Sequence, residues 1–590
     1  LIPGFSGAYG DRGDRAAAIS SPMELSLERS DRLVRRFVHV SGRNVHYLRM
    51  GQGSPVVLVH SSPTHARYVV PQMEHLAPNF TCFAFDTPGF GCSDALDLNP
   101  MQVDDLADAL AANMRAVGLP PCPIFGTHSG AAIALALGVR HPELVTALIL
   151  DGVPIFNADE LETYFDGYFN RLTADPLGGH FGTIWTRFRD QRIWFPWCRR
   201  SPDYLLPSGV APAREIQFWV MSFFYGGRTY EPAYRAVSFY SGKAIETAAR
   251  LTLPAVFTAL ETDMLYPHLD RLPPLRSNQE IRQIGVSAAA KNAVIEEYAR
   301  RYDGGGSAPF ARAASFGSAC AIEKQFVDLL TGQMLVRYIG DKSDKAIIVL
   351  HDAPGSSLAL EPMITALSDS YFVCAVDLPG CGESDALPEG AQSIGDYAAA
   401  IVTVCDQIGL AKAAFYGVGF GASAVLEMAG RFPERVSHVI LRGVLLPTIE
   451  ERLELQANYA LPIEIDAYGG HWYRTWLMLR DSLIYWPWYD RRPEALRRVP
   501  TDFDADRLHD WTFEVMKQSD AYGHLIDAAL RHDAAGVLAD IRTPLLLCAD
   551  PLVPFFAYHQ RLLALRPDVA RCDVGPDIAT HAGDIHAFLE

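Results

Sequence analysis

Cysteine is sparse in this chain: ten among 590 residues, scattered, with no C-x-x-C pair. Such spacing builds no disulfide framework, so reduced thiols in a cytoplasmic protein are the expectation. Long apolar runs are missing as well. No stretch approaches the roughly 18 residues of a membrane helix, and no basic segment leads into an apolar one near the start, so neither a membrane span nor secretion is expected. Positive charge is in deficit, with 51 Lys and Arg against 69 Asp and Glu and a net charge of -18. No run of Lys and Arg interleaved with aromatics offsets that field, so nucleic acid and anionic lipid are poor partners. No phosphate-binding P-loop, dinucleotide fingerprint or metal-ligand spacing occurs, and no cofactor or metal is implied.

Apolar residues make up 49% and charged residues 20% of the chain, an ordinary packed composition. At this length one core is not enough, and two large domains fit. Residues 1–22 are small and polar and precede Met23; they read as a leader or tag remnant and are set aside.

An internal repeat organises the remainder. VVLVHSSP around His60 returns as IIVLHDAP around His351, and FAFDTPGFGCSDAL around Asp86 returns as CAVDLPGCGESDAL around Asp377. Gly126 matches Gly417 and His180 matches His471, all at the same offset of 291 residues. A constant offset over such a span means duplication with almost no insertion. Copy 1 is placed at 23–305 and copy 2 at 319–590, joined by a connector at 306–318 within the glycine-rich stretch 300–318. In each copy short apolar runs such as Val56–Val59 and Cys82–Phe85 alternate with helical patterns such as VDDLADALAANMRAVG. That alternation predicts an α/β fold, a mostly parallel sheet flanked by helices. Two stretches, about 154–250 and about 447–536, lack strand alternation and read as inserted helical caps.

The order of motifs, strand with His-x-x-Pro, strand with Asp-x-Pro-Gly-x-Gly, then a glycine-flanked elbow, resembles cap-bearing α/β-hydrolase domains in tandem. The resemblance covers most of each copy and places a nucleophile in the middle of G-x-Nuc-x-G, lifted above the sheet by a strand-to-helix turn. Neither copy has serine there. Copy 1 reads Gly126-Thr127-His128-Ser129-Gly130 and copy 2 reads Gly417-Val418-Gly419-Phe420-Gly421. The resemblance also implies an acid after a late strand, matched by Asp263 and Asp550, with Asp151 at an alternative acid position where copy 2 has Arg442. The histidine expected after the last strand has no match in copy 1; copy 2 has His581 four residues beyond Asp577.

His128 is therefore the candidate base, proton shuttle or nucleophile, with Asp263 or Asp151 as its acid. His60, Ser61 and Ser62 form the expected oxyanion loop, the amides of Ser61 and Ser129 being the preferred donors. His180, Trp185 and Arg189, candidate pocket residues, belong to a Gly-Gly-His-x4-Trp-x3-Arg-Asp element found in both caps; its Arg-Asp pair and tryptophan also suit the fixing of a cap. Aromatics crowd the first cap, which fits a small apolar or aromatic substrate. Two readings stay open: a cofactor-independent hydrolase or lyase with its site in copy 1 and copy 2 as its structural partner, or a non-catalytic tandem pseudo-hydrolase that binds a small ligand or a partner.

Overall fold

The computed structural model describes residues 32–169, 171–207, 209–309 and 316–590; the leader 1–22 and part of the connector lie outside them. By its contacts the chain divides into two compact units, Leu1–Leu172 with Trp185–Ala311, and Thr173–Ile184 with Arg312–Glu590. Among the described residues no helix is long and apolar enough to cross a membrane.

The first unit is built on β1 (Val34–Val40), β2 (Arg43–Gly51), β3 (Ser54–Val59), β4 (Phe80–Phe85), β5 (Cys122–Thr127), β6 (Val145–Asp151), β7 (Ala255–Ala259) and β8 (Gln279–Gln283). They form one eight-stranded sheet in the order β1-β2-β4-β3-β5-β6-β7-β8. β1 and β2 are antiparallel, β2 runs antiparallel to β4, and every pairing from β4 to β8 is parallel. The central strands carry continuous apolar runs because helices cover both of their faces. At the sheet edge β8 instead alternates, with Gln279 buried and Glu280 half-buried. Helix Val103–Val117 shows the local logic of the covering layer: a Gln102–Asp105 capping box starts it, and Gly118 at φ 81° ends it.

The second unit repeats this plan with β9 (Ala319–Asp328), β10 (Gln333–Gly340), β11 (Ala346–Leu350), β12 (Phe372–Val376), β13 (Ala413–Val418), β14 (Val436–Arg442), β15 (Leu545–Ala549) and β16 (Ala570–Asp573). The order is β9-β10-β12-β11-β13-β14-β15-β16, strand for strand that of the first unit. Between β6 and β7 the chain forms helices Ala158–Phe165, Gly179–Gln191, Ala213–Gly226, Tyr230–Ser238 and Ser241–Arg250; between β14 and β15 it forms five more, from Ile449–Asn458 to Ala534–Asp540. Both insertions leave their sheet at the carboxyl ends of the parallel strands, where open α/β sheets place their ligands.

Candidate active site

β5 ends at Thr127 and helix Ser129–Arg140 begins two residues later, which leaves His128 alone to make the turn. Its φ of 50° with ψ of -113° lies where side-chain-bearing residues are rarely found. The flanking glycines make the turn feasible, since a Cβ on Gly130 would sit 2.2 Å from the Val59 carbonyl oxygen. The strained backbone is held by the His128 N–H donating to the Asp151 carbonyl at 2.8 Å. With its side chain 32% exposed, the imidazole is accessible rather than packed away.

Asp263, on the loop after β7, accepts from His128 Nε2 at 2.7 Å and from the Leu265 N–H at 2.9 Å. The distance that the missing histidine left open is thus spanned directly. Burial works against both charges, but their attraction prevails: Asp263 is held down at about 2 and His128 is raised above the ordinary imidazole value. Asp151, the alternative acid, takes a different partner. Its Oδ2 meets Lys291 Nζ at 3.1 Å and accepts from Thr127 Oγ1 at 3.0 Å. Burial opposes the Lys291 charge, yet Asp151 keeps its pKa above the usual lysine value. The His128–Asp263 and Lys291–Asp151 pairs lie close enough for each to bear on the charge of the other.

Lys291 escaped the sequence reading because it sits in AAAKNAV, a stretch without a motif. The signal was in the duplication: matching the helix caps Ser287 and Asp577 sets Lys291 opposite His581. Tyr68, also missed, lies in the field of Lys291, Asp263 and Asp151, and its burial raises its hydroxyl above the ordinary phenol value.

The remaining candidates separate. His60 is buried with both ring nitrogens engaged, Nδ1 donating to the Ser61 carbonyl at 3.0 Å and Nε2 accepting from the Thr87 N–H at 2.9 Å. His351 repeats both bonds in the second unit, so this residue braces the loop. The Ser62 N–H, one residue beyond Ser61, donates to Ser129 Oγ at 2.5 Å. His180 falls in the second unit, bonded to His509 at 3.0 Å and accepting from the Asp175 N–H. Trp185 is buried in cap packing. Arg189 reaches Asp190 at 3.8 Å, but the shorter pair of that carboxylate is with Arg200 at 2.8 Å, and Asp481 takes Arg491 in the same way at 3.0 Å. The i,i+10 partner bridges a bend that a sequence neighbour on one helix cannot reach. The buried cation of this helix is Arg187, set among the rings of Phe188, Phe223 and Trp197 with no hydrogen-bond partner among the described residues on any of its three nitrogens.

In the second unit Gly419 occupies the elbow at φ 56°. Beside it Asp352 Oδ1 accepts both the Ala353 and the Phe420 N–H at 2.8 Å. Those two amides converge on one point, and the side chain's own oxygen occupies it. A Cβ on Gly419 would lie 2.0 Å from that oxygen. The acid Asp550 is closed off by Arg442 at 2.5 Å.

Comparison with known proteins agrees with this architecture. The family described as alpha/beta hydrolase fold matches residues 54–198 and again 345–462. The chain belongs to the α/β-hydrolase superfamily and carries its fold twice. It is similar to (E)-2-((N-methylformamido)methylene)succinate hydrolase of Acinetobacter baylyi, 31% identical over 19% of this chain and 43% of that protein. It is also similar to 2-hydroxy-6-oxo-6-(2'-aminophenyl)hexa-2,4-dienoic acid hydrolase of Metapseudomonas resinovorans, 33% identical over 22% of this chain and 46% of that protein. The chain thus spans about half the length of the curated relatives it matches. Among solved structures, an epoxide hydrolase from Vigna radiata aligns with 46% of this chain and 98% of its own at 18% identity and a TM-score of 0.37.

Proposed function

We propose that the chain is a cofactor-independent enzyme of hydrolase or lyase type, acting on a small apolar or aromatic substrate in its first unit, with His128 as the reacting side chain. The observation that carries this reading is the His128–Asp263 pair on a strained elbow. Asp263, ionised, accepts from Nε2–H and orients the ring, which leaves Nδ1 as the lone pair that takes a proton from water or a carbon acid. The imidazolium formed in that step is stabilised by the same carboxylate, so the pair favours the charge that develops. The Ser62 and Ser129 amides are the counterparts of Ala353 and Phe420, whose N–H groups converge on an anionic oxygen. They are therefore the oxyanion donors of this reading, with the Ser62 amide in place of that of Ser61 and the Ser129 hydroxyl as the placeholder a substrate oxygen displaces. Lys291, kept charged by Asp151, adds positive potential at the same mouth. Hydrolase activity in the similar proteins supports this class of reaction.

The test is a screen of esters, lactones, epoxides and β-diketones with wild type and His128→Ala. Turnover of a found substrate should fall by about 10²–10⁴-fold in the variant. A variant that retained the wild-type rate would refute the assignment. Mass spectrometry of the quenched wild-type reaction separates the two uses of the ring, since only a nucleophilic His128 carries an adduct.

A further inference from the structure

The elbow of the second unit is closed, but a different cluster stands at the edge of its sheet. β15 and β16 pair in parallel with Cys548 directly opposite Cys572, so both side chains leave the same face of the sheet. His581 comes from helix Ile578–Leu589, whose start is fixed by Asp577 accepting from the Ala579 and Thr580 N–H groups. One ligand atom from each of Cys548, Cys572 and His581 falls within 4.8 Å of the others. Cys548 and His581 are buried and Cys572 is half-buried, which leaves one side open for entry.

The histidine is prepared in the manner of a metal ligand. Its Nε2 is engaged by the Tyr416 hydroxyl at 3.2 Å, and its Nδ1 is buried with no hydrogen-bond partner among the described residues. An outer partner on one ring nitrogen that orients the other is the usual arrangement around bound zinc. Asp584 lies one helical turn from His581 and acts on the charge of both thiols.

One other cluster, His46 with Asp86 and Cys92, meets the same distance criterion and shows what a satisfied brace looks like. The Asp86 carboxylate there already accepts from His46 Nδ1, the Ala66 N–H and the Cys92 N–H, at 2.7–2.8 Å. That carboxylate is thus already held by three donors of the protein itself. In the first unit the places of Cys548 and Cys572 are taken by Thr258 and Arg282, as the strand registers show, and that of His581 by Lys291, as the helix caps show; two of those three are cationic. The ligand set is thus a property of the second copy alone.

From this juxtaposition we propose that Cys548, Cys572 and His581 bind a thiophilic divalent cation of the zinc type, tying edge strand β16 and the C-terminal helix to β15. Two sulfurs and one imidazole nitrogen are a common zinc donor set, with the fourth position left to water. Both cysteines bind as thiolates, so the Cys548 and Cys572 thiol protons pass to solvent as the two metal–sulfur bonds form, and no electron is transferred.

The test uses the full chain, reduced and stripped by a chelator, then titrated with Zn²⁺ alone and with Co²⁺ alone. One equivalent should bind, Co²⁺ should give the sulfur-to-cobalt charge-transfer band of a tetrahedral thiolate site, and Zn²⁺ should protect Cys548 and Cys572 from alkylation while exposed Cys320 still reacts. Cys572→Ser and His581→Gln should weaken binding by about 100-fold or more, and Tyr416→Phe by about 10-fold. Cys405→Ser should leave it unchanged. Lack of the cobalt band, unprotected thiols, equal affinity in Cys572→Ser, or a Cys548–Cys572 disulfide that forms in place of metal binding would each overturn the proposal. The cobalt spectrum and the alkylation map need no variant, so a substitution that fails to fold does not blunt the test.

Discussion

The two elbows of this chain occupy the same place in the same topology, and chemically they are opposites. In the first unit a strained histidine faces a carboxylate with a second acid–cation pair beside it. In the second, glycine stands at the turn, an aspartate fills the point where two amides converge, and an arginine caps the remaining acid. The surroundings changed with the elbow: His65, Tyr68, Arg187 and Asp151 are matched at the same offset by Ser356, Ala359, Met478 and Arg442. The braces away from the elbow kept their geometry. His60 and His351 make the same two bonds, and Asp86 and Asp377 anchor equivalent turns although the first is held by His46 and the second by Arg337. A fold therefore conserves what supports its sheet independently of what it displays above it.

The most drastic way to break the contrast is to copy the second elbow into the first. His128→Gly should reduce turnover by the same about 10²–10⁴-fold as the alanine variant, with little loss of stability because glycine accepts a φ of 50° without strain. Asp263→Asn is next. It should lower the rate by about tenfold or more and move the ascending limb of the pH–rate profile, expected above the ordinary imidazole value in wild type, down toward it. An unshifted limb would separate the titrating group from His128.

The reverse exchange probes the second unit. Gly419→Ser should destabilise the protein by about 1–3 kcal/mol, because its Cβ runs into Asp352, and adding Asp352→Gly should recover most of that loss in thermal unfolding. If the single and double variants unfold alike, the aspartate is not what excludes a side chain there. A smaller effect is expected at Arg187. Its guanidinium bears the cost of burial without hydrogen bonds and regains only cation–π attraction of about 0.5–2 kcal/mol. Arg187→Met, the residue of the second copy, should raise the melting temperature; a fall would show that the cation is structurally required.

Sheet, duplication and elbow were legible because they depend on local backbone demands that leave glycines and apolar runs at fixed spacing. Gly126, Gly130, Gly417 and Gly421 announce the turns whatever residue they flank. The site was legible only where the fold fixes a position, as at His128 and Asp263. Lys291 was hidden because it replaces a side chain of different type on a helix whose sequence is otherwise bland. In the proposed reading the donor amide moves from Ser61 to Ser62, a choice hidden from the sequence because backbone N–H groups carry no residue signature. Arg200, as the partner of Asp190, lies across a bend that periodicity along one helix does not describe.

The smallest expected effect concerns the aspartate in the second elbow. Loss of hydration pushes Asp352 up to about 6, even though the two amide donors favour its charged form. A carboxyl whose folded pKa exceeds its unfolded value of about 3.9 holds its proton longer in the folded state. Its contribution to stability is full below about pH 4, shrinks as pH rises, and levels off once pH passes about 6. Asn keeps an oxygen to accept from Ala353 and Phe420 but has no proton to lose. Asp352→Asn should therefore match wild type in melting temperature near pH 4 and exceed it progressively up to about pH 6.5, the difference between the two curves cancelling every other titrating group. A constant difference across that range would mean that Asp352 carries its charge in the folded protein as freely as in the unfolded chain, and that the amide pair compensates fully for its burial.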